Sequence, residues 1–346
     1  MNKLFKKAIS VCIGAALLLS VTPAAFAADT YVDMPNDWRT TAIENAVKNG
    51  LIYGTSDTTI SPDANISRAQ MAAIIVRAFG ATKEADISAY ADVNSGKWYY
   101  KELAKAVQMG AFSGVSDTEM NPDGEITFEE CFTVLSRVFG LNITTTEEDA
   151  LTALGAYEDG NQVAKWAVVY YGSLVKNGYW TGGEKKLLTP KTCITRGEFA
   201  VVMDNLVTTY ISDAEALTEY PTSGNILVRC DGVSLDELEL DGDLIVGDGV
   251  SANGISLNDI NIKGRLVVRG CAAEEPIKKP EGGISVSGNN DDDIQTIEIT
   301  CSPTGFAEYI QIINPYIYFD ASGIERGKAK IYGVKNSMIY MGSIGV

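Results

Sequence analysis

Ile66-Ser-Arg-Ala-Gln70, Ile126-Thr-Phe-Glu-Glu130 and Ile194-Thr-Arg-Gly-Glu198 are one five-residue phrase written three times, at intervals of 60 and 68 residues. In each, a hydroxyl residue stands three positions before Gln or Glu, the spacing of a capping box at a helix start. Ser67 with Gln70, Thr127 with Glu130, and Thr195 with Glu198 therefore read as caps. An apolar stripe at helical spacing follows, Met71, Ile74, Ile75 and Phe79 in the first copy.

Working outward, the same two intervals separate Trp38, Trp98 and Trp166, then Gly50, Gly110 and Gly178. They recur for Gly54, Gly114 and Gly182, and for Pro62, Pro122 and Pro190. One register thus runs three times between residues 31 and 209, with eight extra residues ahead of Trp166. A first helix starts near each Trp: Ile43, Ala46 and Val47 are matched by Leu103, Ala106 and Val107, then by Tyr171, Leu174 and Val175. Gly50, Gly110 and Gly178 follow as left-handed stops. Two short helices cannot bury a core alone, so the three copies are expected to pack on one another.

Composition sets the surroundings. Residues 1–27 read as a secretory signal: Lys3, Lys6 and Lys7, an apolar run from Ala8 to Leu19, and the cleavage site Ala25-Phe26-Ala27. The run is short for a bilayer span, and no membrane partner is expected after cleavage. Removing the three leader lysines takes the formal charge from −17 to −20. Such a surface argues against nucleic acid and anionic lipid. The absence of histidine removes Ser-His-Asp, Cys-His and His-ligated zinc chemistry. Cys131, Cys193, Cys230, Cys271 and Cys301 form no C-x-x-C pair and are read as free thiols, so neither metal nor cofactor is expected.

The early Trp, the turn Gly50-Leu-Ile-Tyr-Gly54, the Pro and the Ile-Ser/Thr-Arg helix start resemble the S-layer homology (SLH) domain, over about half of the chain. The resemblance implies a pseudo-threefold helical bundle, binding without catalysis to a secondary cell-wall polymer linked to peptidoglycan, commonly through a pyruvylated sugar. It also implies a secreted, Gram-positive-type wall or S-layer location.

The residues add a chemical reason. Capping explains the hydroxyl and the Gln or Glu, but not Arg68 and Arg196. A guanidinium beside a helix N-terminus suits a carboxylate, which a pyruvyl ketal would supply. Spacing alone leaves a merely solvated arginine equally open. Phe128 stands where the second copy should carry its cation, so the groove built around it reads as degenerate. Trp38, Trp98 and Trp166 read as core packing or as groove walls. Gly50, Gly110 and Gly178 are helix stops that, by resemblance, also let sugar approach the backbone. Because contact-distance pairing with Arg escapes long-range repulsion, binding should depend weakly on salt or strengthen slightly with it.

After a linker at 213–224, Val233 to Val246 aligns without gaps on Ile255 to Val268, an interval of 22 residues. Alternating apolar residues, a Gly and an aliphatic triplet suggest one coil of a parallel β-helix, with an antiparallel sandwich as the alternative. Asp291-Asp-Asp293 and Glu274-Glu275 read as solvated charge. The full reading is a signal (1–27), three repeats (28–81, 82–141, 142–212), a linker and a β-solenoid-like domain (225–346), together a non-catalytic wall anchor. The alternatives are a wall-tethered polysaccharide-degrading enzyme and a self-assembling surface layer, whose partners would be copies of itself or other surface proteins.

Overall fold

The computed structural model describes residues 31–214, 219–251, 254–258 and 260–270, with the strands Ile284–Ser285, Gln295–Ile297, Phe306–Ile312, Ile317–Asp320, Lys330–Gly333 and Met338–Tyr340. The signal at 1–27, Cys271, Cys301, Asp291 to Asp293 and Glu274-Glu275 lie outside them. Among the described residues, Cys131, Cys193 and Cys230 are free thiols, and no helix is long and apolar enough to cross a membrane.

Three helix pairs come first: α1 (Thr40–Lys48) with α2 (Arg68–Phe79), α3 (Tyr100–Gln108) with α4 (Phe128–Val138), and α6 (Val168–Lys176) with α7 (Arg196–Leu206). Helices α2, α4 and α7 each open on a capping box, formed by Ser67/Gln70, Thr127/Glu130 and Thr195/Glu198. Gly50, Gly110 and Gly178, at φ +65°, +68° and +75°, turn the chain out of the first helix of each pair.

The pairs are tied head to head in a ring. Ile66 N donates to Ile194 O, Ile194 N to Ile126 O, and Ile126 N to Ile66 O. The orphan N–H groups of each second helix are satisfied by the neighbouring pair. Arg68 N and Ala69 N donate to Gly124 and Pro122 carbonyls, Phe128 N and Glu129 N to Thr192 and Pro190, and Arg196 N and Gly197 N to Ala64 and Pro62. No pair has a complete helix start by itself.

The prolines need a sharp approach, and Ser61, Asn121 and Thr189 before them sit at φ 52°, 52° and 48°. Left-handed backbone is costly for a β-branched residue and tolerated by Asn. Thr189→Asn, which copies the residue of the second pair, should therefore raise stability by about 0.5–1 kcal/mol, read as a higher urea midpoint. An unchanged or lower midpoint would show that Thr189 is not strained. Each turn is held by an aspartate that spacing did not single out. The carboxylates of Asp33, Asp92 and Asp159 accept from the backbone N–H groups of Ile60 and Ser61, Met120 and Asn121, and Leu188 and Thr189.

Ahead of α6, helix α5 (Glu147–Leu154) starts on its own capping box, Thr146 with Asp149. It packs so closely on α6 that a Cβ at Gly172 would lie 2.5 Å from the Ala150 Cβ.

Beyond α7 the chain forms strands. β1 (Thr209–Ile211), β2 (Ile226–Val228), β5 (Leu244–Val246), β7 (Asn261–Val268), β10 (Phe306–Ile312) and β12 (Lys330–Gly333) lie side by side in one parallel sheet. β3 (Val233–Asp236) pairs with β6 (Ile255–Asn258), and β4 (Glu239–Leu240) with β7, also in parallel. Val233 pairs with Ile255, Glu239 with Asn261 and Leu244 with Leu266, always at the interval of 22. The antiparallel alternative is thereby corrected: among the described pairs only β8 (Ile284–Ser285) with β13 (Met338–Tyr340) is antiparallel.

The linker region differs from its sequence reading. β1 precedes it, and Thr222 and Gly224 are already hydrogen-bonded to the Asp241 backbone. The strands dock on the helices. Leu227, Ile245 and Val267, the centres of the three aliphatic triplets, belong to the helical core. Their neighbours Ile226, Val228, Leu244, Val246, Leu266 and Val268 face a second core between the strands. A triplet with both faces covered has no polar position to spare.

Polar side chains reinforce this junction. Arg229 donates to the carbonyls of Arg77 and Asn49, Arg265 to Phe139, and Arg269 to Val138 and Met109. These carbonyls end helices α1 to α4, where cations are favoured.

Candidate functional site

The ring decides where the predicted site residues go. Arg196 leads α7, yet its Nε donates to Ile60 O and its Nη2 to Tyr53 O, across the seam in the first pair. Arg68 repeats this one seam on, with Nε to Met120 O and Nη2 to Ser113 O. Each arginine therefore serves the groove of the neighbouring pair and not that of its own helix.

The first groove is a cavity of about 350 Å³ lined by Ile52 to Thr55, Gln70, Ala73, Ile74, Arg77, Trp98 and Arg196. All three pairs contribute to it: loop and helix from the first, Trp98 from the second, Arg196 from the third. Its lining carries two guanidinium groups and no acid. None of the ion pairs among the described residues involves Arg68, Arg77 or Arg196.

Burial pushes the Arg196 guanidinium below the ordinary arginine range, Tyr31 opposes this, and Arg77 pushes it further down. Burial lowers Arg77 likewise. Arg77 also donates to Leu51 O and stacks 4.4 Å from the Tyr53 ring centroid. A carboxylate entering this groove would meet two desolvated cations that lack an ion-pair partner.

Arg77 was missed in the sequence because it sits near the end of α2, where a basic residue serves the helix dipole without needing a ligand. Its register mates are Arg137 and Asn205.

Trp38, Trp98 and Trp166 are not core residues: they are 41%, 59% and 52% exposed. The core reading fails because each stands in the turn before its helix. The interior place goes to Trp180, 2% exposed. Trp38 lines the third groove as Trp98 lines the first.

Gly50, Gly110 and Gly178 line none of the described cavities. A Cβ there would meet nothing closer than the Tyr53 hydroxyl, 3.7 Å from Gly50. The glycine that shapes the first groove is Gly54, where a Cβ would fall 2.3 Å from Ser56 O and 2.6 Å from Tyr31 Cε1.

Phe128, 1% exposed, occupies the arginine position at the third seam and packs 5.0 Å from the Trp180 ring. Its groove has not collapsed. It is a cavity of about 360 Å³ reaching from Trp38 to Glu198.

Comparison with known families places this architecture. The S-layer homology domain matches residues 30–72 and 89–130, from ahead of α1 to the first turn of α2 and from ahead of α3 to the first turn of α4. The chain carries S-layer homology domains. A surface-layer 125 kDa protein of Lysinibacillus sphaericus is 31% identical over 209 residues, 60% of this chain and 17% of that protein. A surface layer protein of Brevibacillus choshinensis is 30% identical over 147 residues, 40% of this chain and 13% of its own. The exoglucanase XynX of Acetivibrio thermocellus is 26% identical over 178 residues, 51% of this chain and 16% of its own. The chain thus spans less than a fifth of each of these relatives. With two segments that match this domain and relatives among surface-layer and cell wall proteins, the chain is placed at the cell surface or cell wall.

Proposed function

We propose that three SLH repeats, the third being the α6/α7 pair, form a pseudo-threefold bundle that anchors this protein without catalysis to an anionic, pyruvylated secondary wall polymer. Export through the 1–27 signal and a β-solenoid carried on the anchor complete the proposal. The observation that carries it is the first groove, where Arg77 and Arg196 line a cavity with no acid in its wall. Arg68, held by Met120 O and Ser113 O as Arg196 is by Ile60 O and Tyr53 O, marks a second groove.

S-layer proteins and glycosidases share this likeness, so it marks the attachment module and leaves the role of the strands open. The regular parallel register favours a structural or interaction role for them.

The test is sedimentation of the mature chain with purified sacculi, native or stripped of secondary polymer, beside Arg68→Ala/Arg196→Ala. Binding should vanish on stripping and fall steeply in the double variant, provided its circular dichroism is unchanged. Binding to stripped sacculi would refute the proposal. Between 50 and 500 mM NaCl the wild-type affinity should stay within about threefold, because short-range Arg pairing is little screened while repulsion from the acidic surface is. A steep loss would mean that a diffuse basic surface does the binding.

A further inference from the structure

Groove three keeps the Trp at its mouth but differs from groove one at four other positions of its lining. Arg196 of the first corresponds to Phe128 in the third, Arg77 to Asn205, Gln70 to Glu198 and Ile52 to Trp180. Two cations have been lost, one acid gained, and a large aromatic surface added.

The lining of the third groove holds Asp37, Glu184 and Glu198 against Arg39, Lys185 and Lys186. Arg39 is already paired with Asp37 and Asp63. Acids and bases are thus equal in number in this lining, which has no net positive charge to draw a carboxylate, unlike the first groove with its two cations and no acid. Its aromatic wall is built: Trp38 lies 6.2 Å from Trp180, and Trp180 lies 5.0 Å from Phe128, ring centroid to ring centroid. At Gly183 a Cβ would sit 3.5 Å from the Trp38 ring and 3.6 Å from that of Trp180, so the absence of a side chain there keeps the approach to the exposed Trp38 indole clear, with the buried Trp180 ring behind it. Thr181, Glu184, Lys186 and Asn205 bring hydrogen-bonding groups to an adjoining cavity of about 430 Å³, which shares Trp38, Trp180, Gly183 and Glu184 with the one that reaches Phe128.

An indole face backed by convergent polar groups suits the apolar C–H face and the hydroxyls of a pyranose. We propose that this third groove binds an uncharged sugar residue of the wall glycan, so that one bundle reads two ligand classes: a carboxylate-bearing unit at the first groove and a neutral one here. The proposal rests on the glycan-anchor reading for its source of ligand.

The experiment uses the full mature chain with two probes, methyl N-acetyl-β-D-glucosaminide and methyl β-D-glucuronide. Saturation-transfer NMR and tryptophan fluorescence follow each titration. The neutral sugar should receive saturation from the wild type, and Trp38→Ala should weaken it at least about tenfold, the loss expected on removing one aromatic platform. Phe128→Arg, which restores the cation, should shift preference toward the glucuronide. No transfer to the neutral sugar, or transfer unchanged by Trp38→Ala, overturns the proposal. Sacculus sedimentation separates the two readings. If the wild type pellets while the neutral sugar fails, only the third-groove assignment falls. If the wild type does not pellet on native sacculi, the anchor itself falls.

Discussion

Arg265→Ala should destabilise the folded chain by about 3–5 kcal/mol, the cost of stripping one partner from a buried ion pair. Arg265 and Asp243 are each 7% exposed. The guanidinium donates through Nε and Nη2 to the Asp243 carboxylate, and through Nη1 to Phe139 O and Gln311 Oε1. Alanine would leave a carboxylate in the interior without its counterion and a helix-ending carbonyl without its donor. Urea denaturation followed by circular dichroism measures the loss. The double change Asp243→Leu/Arg265→Met should recover much of it, since an apolar pair of similar volume leaves no orphan. A loss below about 1 kcal/mol in the single variant would mean that water reaches the pair.

Arg77→Gln should weaken sacculus binding by about 30-fold or more, corresponding to at least 2 kcal/mol for a charge that meets its partner out of water. Arg77 lines the first groove and lies beside Arg196 without a carboxylate partner. The glutamine keeps the aliphatic stem and a polar end at a partly exposed helix position, so thermal stability should move far less than affinity. Arg137→Gln should matter less, because Glu130 near Arg68 already tempers the charge of the second groove. Equal losses from both variants would show that net charge governs binding, with no special part for groove geometry.

Much of this was legible in the sequence, and the reasons are specific. Ser67, Thr127 and Thr195 declare their helices because a cap is a local device, complete within four residues. The interval of 22 between Val233 and Ile255 became a strand register because parallel pairing sets equivalent residues of a repeat side by side.

What escaped was long-range. Nothing local to Arg196 tells that it reaches Tyr53, 143 positions away. Phe128 was read as leaving its groove degenerate; the groove it lines belongs to the third pair, and that groove remains open. The repeated Tyr31-x-Asp33, Tyr90-x-Asp92 and Tyr157-x-Asp159 were visible as a pattern and would have marked the aspartates that hold the proline turns. Likewise Ile226-Leu-Val228, Leu244-Ile-Val246 and Leu266-Val-Val268 signalled a sheet covered on both faces, which is why the strands are not held off by a linker.

The three arginines that reach from the strands to the ends of α1, α2, α3 and α4 have a mechanical meaning. A tug on the C-terminal half would not peel contacts away one after another. Five carbonyl grips spread over four helices would carry the load together, and the same helices frame the first two grooves. Tension from outside the cell would thus be distributed across the ring as shear, with no single tether to snap.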